Sequence, residues 1–351
     1  MREDVEKILN IAIWAPSGDN SQPWRFEVLG GQINVLNVPT KDTSLYNHNQ
    51  RASLVACGAL VENIKIAASH FGYEVSISLF PGGYDSDLVA TIFLVQKHQN
   101  SNFLYSWITK RVSNRKPYKT DRLTDDEKSE LISAASSFGD IRILIADDRG
   151  LIAMLADAAS VNERVVLENK KLRQFLFDHI TWSTKEDIEK KGFFVKTLEL
   201  KGAQIIGFRL FRYQFFVRIL NKLGISRLVS RDNAKLYKQS GVIVAITAPS
   251  DSPQSYLKSG MAMQRFWLTA TEMNLGVQPL TGIGFLYFRI KSGGKEIAPH
   301  HAELIQTAYM QIAKGFGVTS DVITMMFRVG RADRPSAKCL RKKPNIAWLE
   351  K

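Results

Sequence analysis

Two short stretches of this 351-residue chain combine residue types suited to holding an anionic cofactor. The first, Ala15-Pro16-Ser17-Gly18-Asp19-Asn20-Ser21-Gln22-Pro23-Trp24, packs two prolines, a glycine, two amides and a tryptophan into ten residues. Such a segment is stiff and rich in side-chain and backbone donors, although the same residue types also make ordinary turns. The second, Arg111-Val112-Ser113-Asn114-Arg115, places two guanidiniums and a hydroxyl at alternate positions. Arginine forks match phosphate oxygens geometrically, so the three groups can converge on one phosphate. Alone, that spacing also fits a basic surface turn.

Other candidate chemistry is weaker. Gly282-Ile283-Gly284 begins like a dinucleotide fingerprint but lacks the third glycine and a clear following helix. His300-His301 has no partner at helical metal-ligand spacing, so exposed histidines after Pro299 and no metal are expected. Cys57 and Cys339 stand far apart, which excludes a disulfide framework or a zinc ribbon and suits a reducing compartment.

The elements that must position these groups can be read from periodicity and breakers. A helix is expected over about Arg2–Trp14, strands over Trp24–Leu29 and Gln32–Val38 around Gly30-Gly31, a small-residue helix over Ser53–Phe71 closed by Gly72, and a strand over Leu88–Val95. After the polar break at Gln96–Asn102 the order begins again. Thr124 caps a helix over Asp125–Ser137, strands follow at Ile141–Ala146 and Gly241–Thr247, and a helix over Leu257–Asn274 ends at Gly276. Shifting the first part by 204 residues lays Gly72 on Gly276, a weak internal repeat. Ser160–Leu236 interrupts the second unit as an insertion and carries the basic, aromatic run Phe208–Leu220.

The Ala15–Trp24 string resembles the signature loop of the nitroreductase flavoprotein superfamily, and Arg111–Arg115 resembles that family's Arg-x-Ser-x-Arg element. Gln278-Pro279-Leu280-Thr281-Gly282 resembles its Pro-x-x-Gly turn, while Phe327–Arg331 and Arg341-Lys342-Lys343 resemble its closing strand and basic tail. The resemblance implies an α+β nitroreductase-like fold of two tandem α/β units, each a central antiparallel sheet flanked by helices. It also implies FMN as cofactor and NAD(P)H as reductant. Arg111, Ser113, Arg115, Arg341 and Lys342 would serve the phosphate. Pro16, Ser17, Asn20, Gln22, Pro279 and Leu280 would line the flavin, and the Thr281 or Gly282 backbone would approach its reactive nitrogen.

Departures from the family pattern sharpen this expectation. No arginine clamp stands ahead of the first helix, and Phe138-Gly139-Asp140 occupies the place of a second signature loop. Each half keeps what the other lacks, as in the long, internally duplicated branch of the family, in which one chain mimics a dimer. The halves are expected at 1–100 and 101–351, with a lid-like insertion at 160–236 and a single FMN. The implied activity is transfer of hydride or electrons to a nitroaromatic, a quinone or a similar small acceptor. The alternative is a non-catalytic FMN-binding or storage protein with a closed lid.

Composition supports a folded protein, at 45% hydrophobic and 23% charged. No window reaches the roughly 18 uninterrupted apolar residues of a membrane-spanning helix, and the acidic N-terminus does not read as a secretory signal, so a cytoplasmic location is expected. The net charge of +13 is concentrated: Lys190–Arg231 holds ten basic residues to one acid and Arg328–Lys343 seven to one. Nucleic acid is not the expected partner. The run 208–220 is read first as a lid and second as a membrane-surface contact.

Overall fold

Apolar spacing sets the fold in the computed structural model, which describes residues 1–97, 102–188 and 192–350. The boundary expected at 100/101 and the pair Lys190-Lys191 therefore lie outside the described residues. Helix α1 (Arg2–Ala12) buries Val5, Ile8, Leu9 and Ala12, one stripe at three- and four-residue spacing. Strands β1 (Trp24–Leu29) and β2 (Gln32–Asn37) pair antiparallel around Gly30, whose φ of +58° the tight turn requires. Helix α2 (Arg51–His70) is followed by Gly72 at φ +83°, as its position implied. Strand β3 (Tyr73–Leu79) was not foreseen, although Tyr-Glu-Val-Ser-Ile-Ser-Leu alternates as a half-exposed strand should; β4 (Leu88–Gln96) follows it.

The second part begins with α3 (Tyr105–Ile108) and α4 (Asp125–Ser133). Thr124 and Glu127 form a reciprocal capping box on α4, which stops earlier than expected and leaves a 3-10 turn at Ser136–Phe138. Strand β5 (Arg142–Ala146) leads into α5 (Arg149–Glu168), α6 (Lys170–His179), β6 (Ile180–Thr181), α7 (Thr184–Ile188), β7 (Phe193–Phe194), α8 (Ala203–Leu210), α9 (Gln214–Lys222) and α10 (Ile225–Lys238). The chain then returns through β8 (Val242–Ala248), α11 (Pro253–Glu272), β9 (Gly276–Pro279), α12 (Gly282–Lys291), α13 (Pro299–Gly315), β10 (Val322–Gly330) and β11 (Ile346–Trp348).

Two corrections concern glycines. The left-handed residue after α11 is Asn274, at φ +58°, and Gly276 instead opens β9, where a Cβ would come within 3.2 Å of the Asn114 and Tyr118 side chains. A helix does follow Gly282, because α12 starts there.

The two large sheets are ordered β11-β1-β2-β4-β3 and β5-β8-β10-β9, and β6 pairs in parallel with β7 in a separate two-stranded sheet. Without β11, both follow one plan in which all neighbours are antiparallel, with β5, β8, β9 and β10 standing for β1, β2, β3 and β4. β11 joins the first sheet in parallel with β1, Phe26 opposite Ile346, so the C-terminal segment crosses from one sheet to the other.

Helices α2 and α11 pack along each other at the centre, and each has 20 residues. A Cβ on Gly58 would lie 1.9 Å from the Leu257 carbonyl oxygen, and one on Gly260 would lie 2.1 Å from the Val55 carbonyl oxygen. Gly58 and Gly260 stand 202 positions apart, as do Val55 and Leu257, so the approach is reciprocal, as at a two-fold interface between identical subunits. Gln264 donates to Asn63 at 2.7 Å and Arg265 to Glu62 at 2.9 Å across the same seam. Together with the lead-in residues from Leu45, α2 is long and apolar enough to cross a membrane, yet 83% of that apolar window is buried inside the protein.

Candidate active site

The loop after α1 is held in an uncommon conformation. Asp19, Asn20 and Gln22 all have positive φ, at 45°, 59° and 53°. Such values are unusual for residues other than glycine and are kept only where surrounding contacts fix them. Here the contacts are visible. The Gln22 amide N–H donates to Ser17 Oγ at 3.0 Å, the Gln22 side chain donates to the Asn20 carbonyl, and Gln22 Oε1 accepts from the Lys342 backbone N–H at 2.9 Å. Asn20 donates to the carbonyls of Gly192, at 2.9 Å, and Leu340, at 3.0 Å. The loop is thus tied to both the insertion and the C-terminal tail.

Opposite the loop lies the segment 111–115, and the two enclose a cleft of about 570 Å³ counting its open mouth. Pro16, Ser17, Asp19 and Asn20 line one side; Arg111, Ser113 and Arg115 line another, and the tail adds Lys338, Cys339 and Arg341. Two insertion residues, Phe193 and Thr197, complete the wall, and Arg115 donates to the Thr197 carbonyl.

Cations dominate this cleft, with the Asp19 carboxyl in the same wall. Among the described residues, Arg111, Arg115, Lys338 and Arg341 form no ion pair with any carboxylate. Burial, reinforced by Arg341, pushes the Arg111 guanidinium down to about 9. Burial, with Arg111 and Arg341 nearby, pushes Lys338 down to about 8, and burial brings Arg341 to about 10. The cations are partly stabilised by aromatic faces, with Arg111 4.5 Å from the Trp267 ring centroid and Lys338 3.9 Å from that of Trp14. Arg111 Nε, Arg341 Nε and Asn20 Oδ1 are buried without a hydrogen-bond partner. The two unsatisfied guanidinium N–H donors, set among mutually repelling cations, are the arrangement a phosphate would relieve, whereas Asn20 Oδ1 calls for a donor.

Not all expected residues face this cleft. Gln22 is buried behind the loop, and Lys342 meets it through its backbone. Leu280 and Thr281 line a separate small crevice with Tyr309 and Met326, and Pro279 ends β9 opposite Phe327. Gly282 packs against the Asn162 side chain, which accepts a hydrogen bond from Tyr46 at 2.8 Å. Burial raises the Tyr46 hydroxyl well above its usual range, and the carboxylates of Glu163 and Asp19 add to the rise. Tyr46 therefore reaches the start of α12 through Asn162.

Six wall residues were not among the expected site residues: Asp19, Val112, Phe193, Thr197, Lys338 and Cys339. The basic count over Arg328–Lys343 contained the signal for Lys338, whereas nothing local marks Phe193 or Thr197. The expectation of exposed histidines needs correction: His300 is exposed but His301 is buried, 2.9 Å from Glu168. Against the rise that burial alone would cause, hydrogen bonds from His301, Ser226 and Arg164 bring Glu168 down to about 2. The ligand-type atoms of Glu168, His300 and His301 lie within 4.8 Å of one another, but both Glu168 oxygens already accept hydrogen bonds.

The model of the "Nitroreductase family" matches residues 1–46 and 108–331, well over half of the chain, and the two matched stretches carry the loop and the clamp. The chain belongs to the nitroreductase family. Its α+β architecture is accordingly nitroreductase-like. A Mycobacterium tuberculosis relative, "Uncharacterized protein MT1398", is 24% identical over 349 residues, covering 98% of this chain and 48% of its own length. The chain thus spans about half the length of that relative. "Putative NAD(P)H nitroreductase Rv3131" from M. tuberculosis H37Rv is 26% identical over 285 residues, 80% of this chain and 76% of its own. Among solved structures, a putative nitroreductase from Anabaena variabilis has a TM-score of 0.45 at 14% identity, covering 86% of this chain and 69% of its own. The FMN-dependent nitroreductase NfnB from Mycobacterium smegmatis, in complex with NADPH, has a TM-score of 0.36 at 14% identity, covering 65% and 86%.

Proposed function

We propose that this nitroreductase-family chain binds one FMN in the cleft and transfers hydride or electrons from NAD(P)H to a nitroaromatic, a quinone or a similar small acceptor. The observation that carries the reading is the group of four cations without carboxylate partners, facing the loop that resembles the family's signature. Arg111, Ser113, Arg115 and Arg341 hold the phosphate, with Lys338 adding charge. Pro16, Ser17 and Asn20 border the ring, and Gln22 and Lys342 brace them from behind. The Thr281 and Gly282 amides, at the start of α12 where N–H groups have no intrahelical partner, are the donors that the family resemblance assigns to the ring, although Thr281 lines the neighbouring crevice and not the cleft. The flavin, when bound, supplies the hydride and electron chemistry. The chain's part is to bind it, orient it and keep water from it.

In this reading, residues 1–100 contribute the loop and 101–351 the clamp, so one chain builds a site that otherwise needs two subunits. Two free cysteines, one of them buried, accord with a reducing cytoplasmic setting. Purified full-length protein is expected to be yellow, with about one FMN released per chain. Colourless protein that takes up no added FMN overturns the proposal.

A second reading, flavin storage, draws on the hydrogen bonds that fasten the insertion over the cleft, Asn20 to Gly192 and Arg115 to Thr197. It requires bound FMN that neither NADH nor NADPH reduces at a useful rate. Rapid turnover with a small quinone excludes it.

A further inference from the structure

We propose that the outer face of α8, α9 and the start of α10 docks on an anionic lipid bilayer. From Lys201 to Arg231 the sequence holds seven basic residues and no aspartate or glutamate. All seven side chains are exposed and none forms an ion pair among the described residues. Arg209 alone is engaged, stacked 4.9 Å from the Trp182 ring centroid. A face so unbalanced is a strong local source of positive potential.

The same face is apolar to a degree that solvation does not explain. Ile206, Phe215 and Leu223 are about 70% exposed, and Tyr213 is 57% exposed. On α9, Phe215 and Ile219 continue to Leu223 at four-residue spacing, forming one stripe, with Phe216 beside it. Arg218 and Lys222 repeat the spacing on the neighbouring stripe. The helix orientation is fixed from beneath, because Phe211 and Val217 are buried in a small core that the insertion builds with Leu167, Phe177 and Phe193–Val195. The exposed stripe is therefore the outer surface of a packed unit. α8 presents no buried residue at all.

An amphipathic helix of low overall hydrophobicity, with aromatic and aliphatic residues bordered by arginine and lysine, suits the interface of a membrane. Its cations complement lipid phosphates, and each contributes to surface attraction. Two copies of the chain would set seven unneutralised cations against seven, which opposes self-association through this face. A nucleic-acid platform would use aromatic rings in a groove, whereas the stripe here is half aliphatic and stands on a helix. The face belongs to the unit that supplies Phe193 and Thr197 to the cleft, so a membrane would lie against the outside of the cleft's cover.

The test is sedimentation of the full-length protein with vesicles of phosphatidylcholine, or of phosphatidylcholine with roughly a third phosphatidylglycerol. Binding to the anionic vesicles is expected, weakening as salt is raised, with little binding to phosphatidylcholine alone. Two triple variants separate the contributions: Phe215→Ser with Ile219→Ser and Leu223→Ser, and Arg212→Gln with Arg218→Gln and Lys222→Gln. Each is expected to lower the partition coefficient on the order of tenfold or more, with an unchanged circular dichroism spectrum because all six side chains are exposed. Several results overturn the proposal: no binding to anionic vesicles at low salt, equal binding to both vesicle types, or an apolar variant that binds like the parent. So does retention of single-stranded RNA in place of vesicles. None of these readouts depends on bound flavin.

Discussion

The two sheets share one strand plan but differ in how the strands are connected. In the first, β1 turns into β2 across Gly30-Gly31, and β3 reaches β4 through residues 80–87. In the second, the equivalent neighbours β5 and β8 are separated by residues 147–241, and β9 and β10 by α12 and α13. Pairing survives because register is set within the strands, while the entropic cost of a connection grows only slowly with its length. The elaborated connections carry the cover of the cleft, and the plain half carries the rigid loop beneath it. Two units of one strand plan thus differ at their turns and match at their central helices.

The largest effect tests the division of labour between the halves. Replacing Arg111 and Arg115 with alanine removes charge-assisted hydrogen-bond donors from the second half only. Flavin affinity is expected to fall by about two orders of magnitude or more. Because the same change removes the Arg111 bond to the Trp14 carbonyl and the Arg115 bond to the Thr197 carbonyl, flavin content is read on protein whose circular dichroism spectrum matches the parent's. Flavin content equal to the parent's would show that the clamp is not where the phosphate is held.

Next in size is the equality at the centre. Gly58→Ala and Gly260→Ala each drive a methyl into the opposite helix's backbone, so each should destabilise the protein by about 3 kcal/mol or more, read from denaturation midpoints. Gly207→Ala in α8 meets nothing within 4 Å. It should be neutral or stabilising by up to about 1 kcal/mol, since alanine favours a helix. Unequal losses at Gly58 and Gly260 would break the reciprocity of the helix pair.

How much of this was legible follows from the range of each signal. β1 was located to the residue and the Thr124 cap was found, because period-two alternation, Gly-Gly turns and capping residues act locally. The repeat was detectable through Gly72 and Gly276, but at an offset of 204 where the helices themselves run at 202, since Gly276 does different work from Gly72. The loop and the clamp were recognisable as strings. Their meeting was expected from the family resemblance and not from any local spacing, because it depends on α2 packing along α11 and on β11 returning to β1. Phe193 and Thr197 had no signal at all: a two-residue strand and a short 3-10 turn reach the cleft only through the insertion's own packing.

The smallest effect concerns Asp19, in the loop that only the first half has. Burial, with Asp42 close by and only partly offset by His179 and Arg115, pushes its carboxyl up to about 6 from 3.8. A raised carboxyl pKa means that the folded state binds the proton more tightly than the unfolded chain does. Stability then falls as pH rises from about 4 to about 6 and is level above, because only there do the two states differ in protons bound. Asp19→Asn removes that fall. Its advantage over the parent should be absent below pH 4 and should grow to about 1–2 kcal/mol above pH 6, a range already reduced for the partial exposure of the side chain. Thermal melts at a series of pH values measure it. At the equivalent turn of the second half Asp140 is exposed, so Asp140→Asn should change stability by no more than about 0.5 kcal/mol at any pH. If the two variants gave the same pH profile, the electrostatic difference between the loop and its plain counterpart would be refuted.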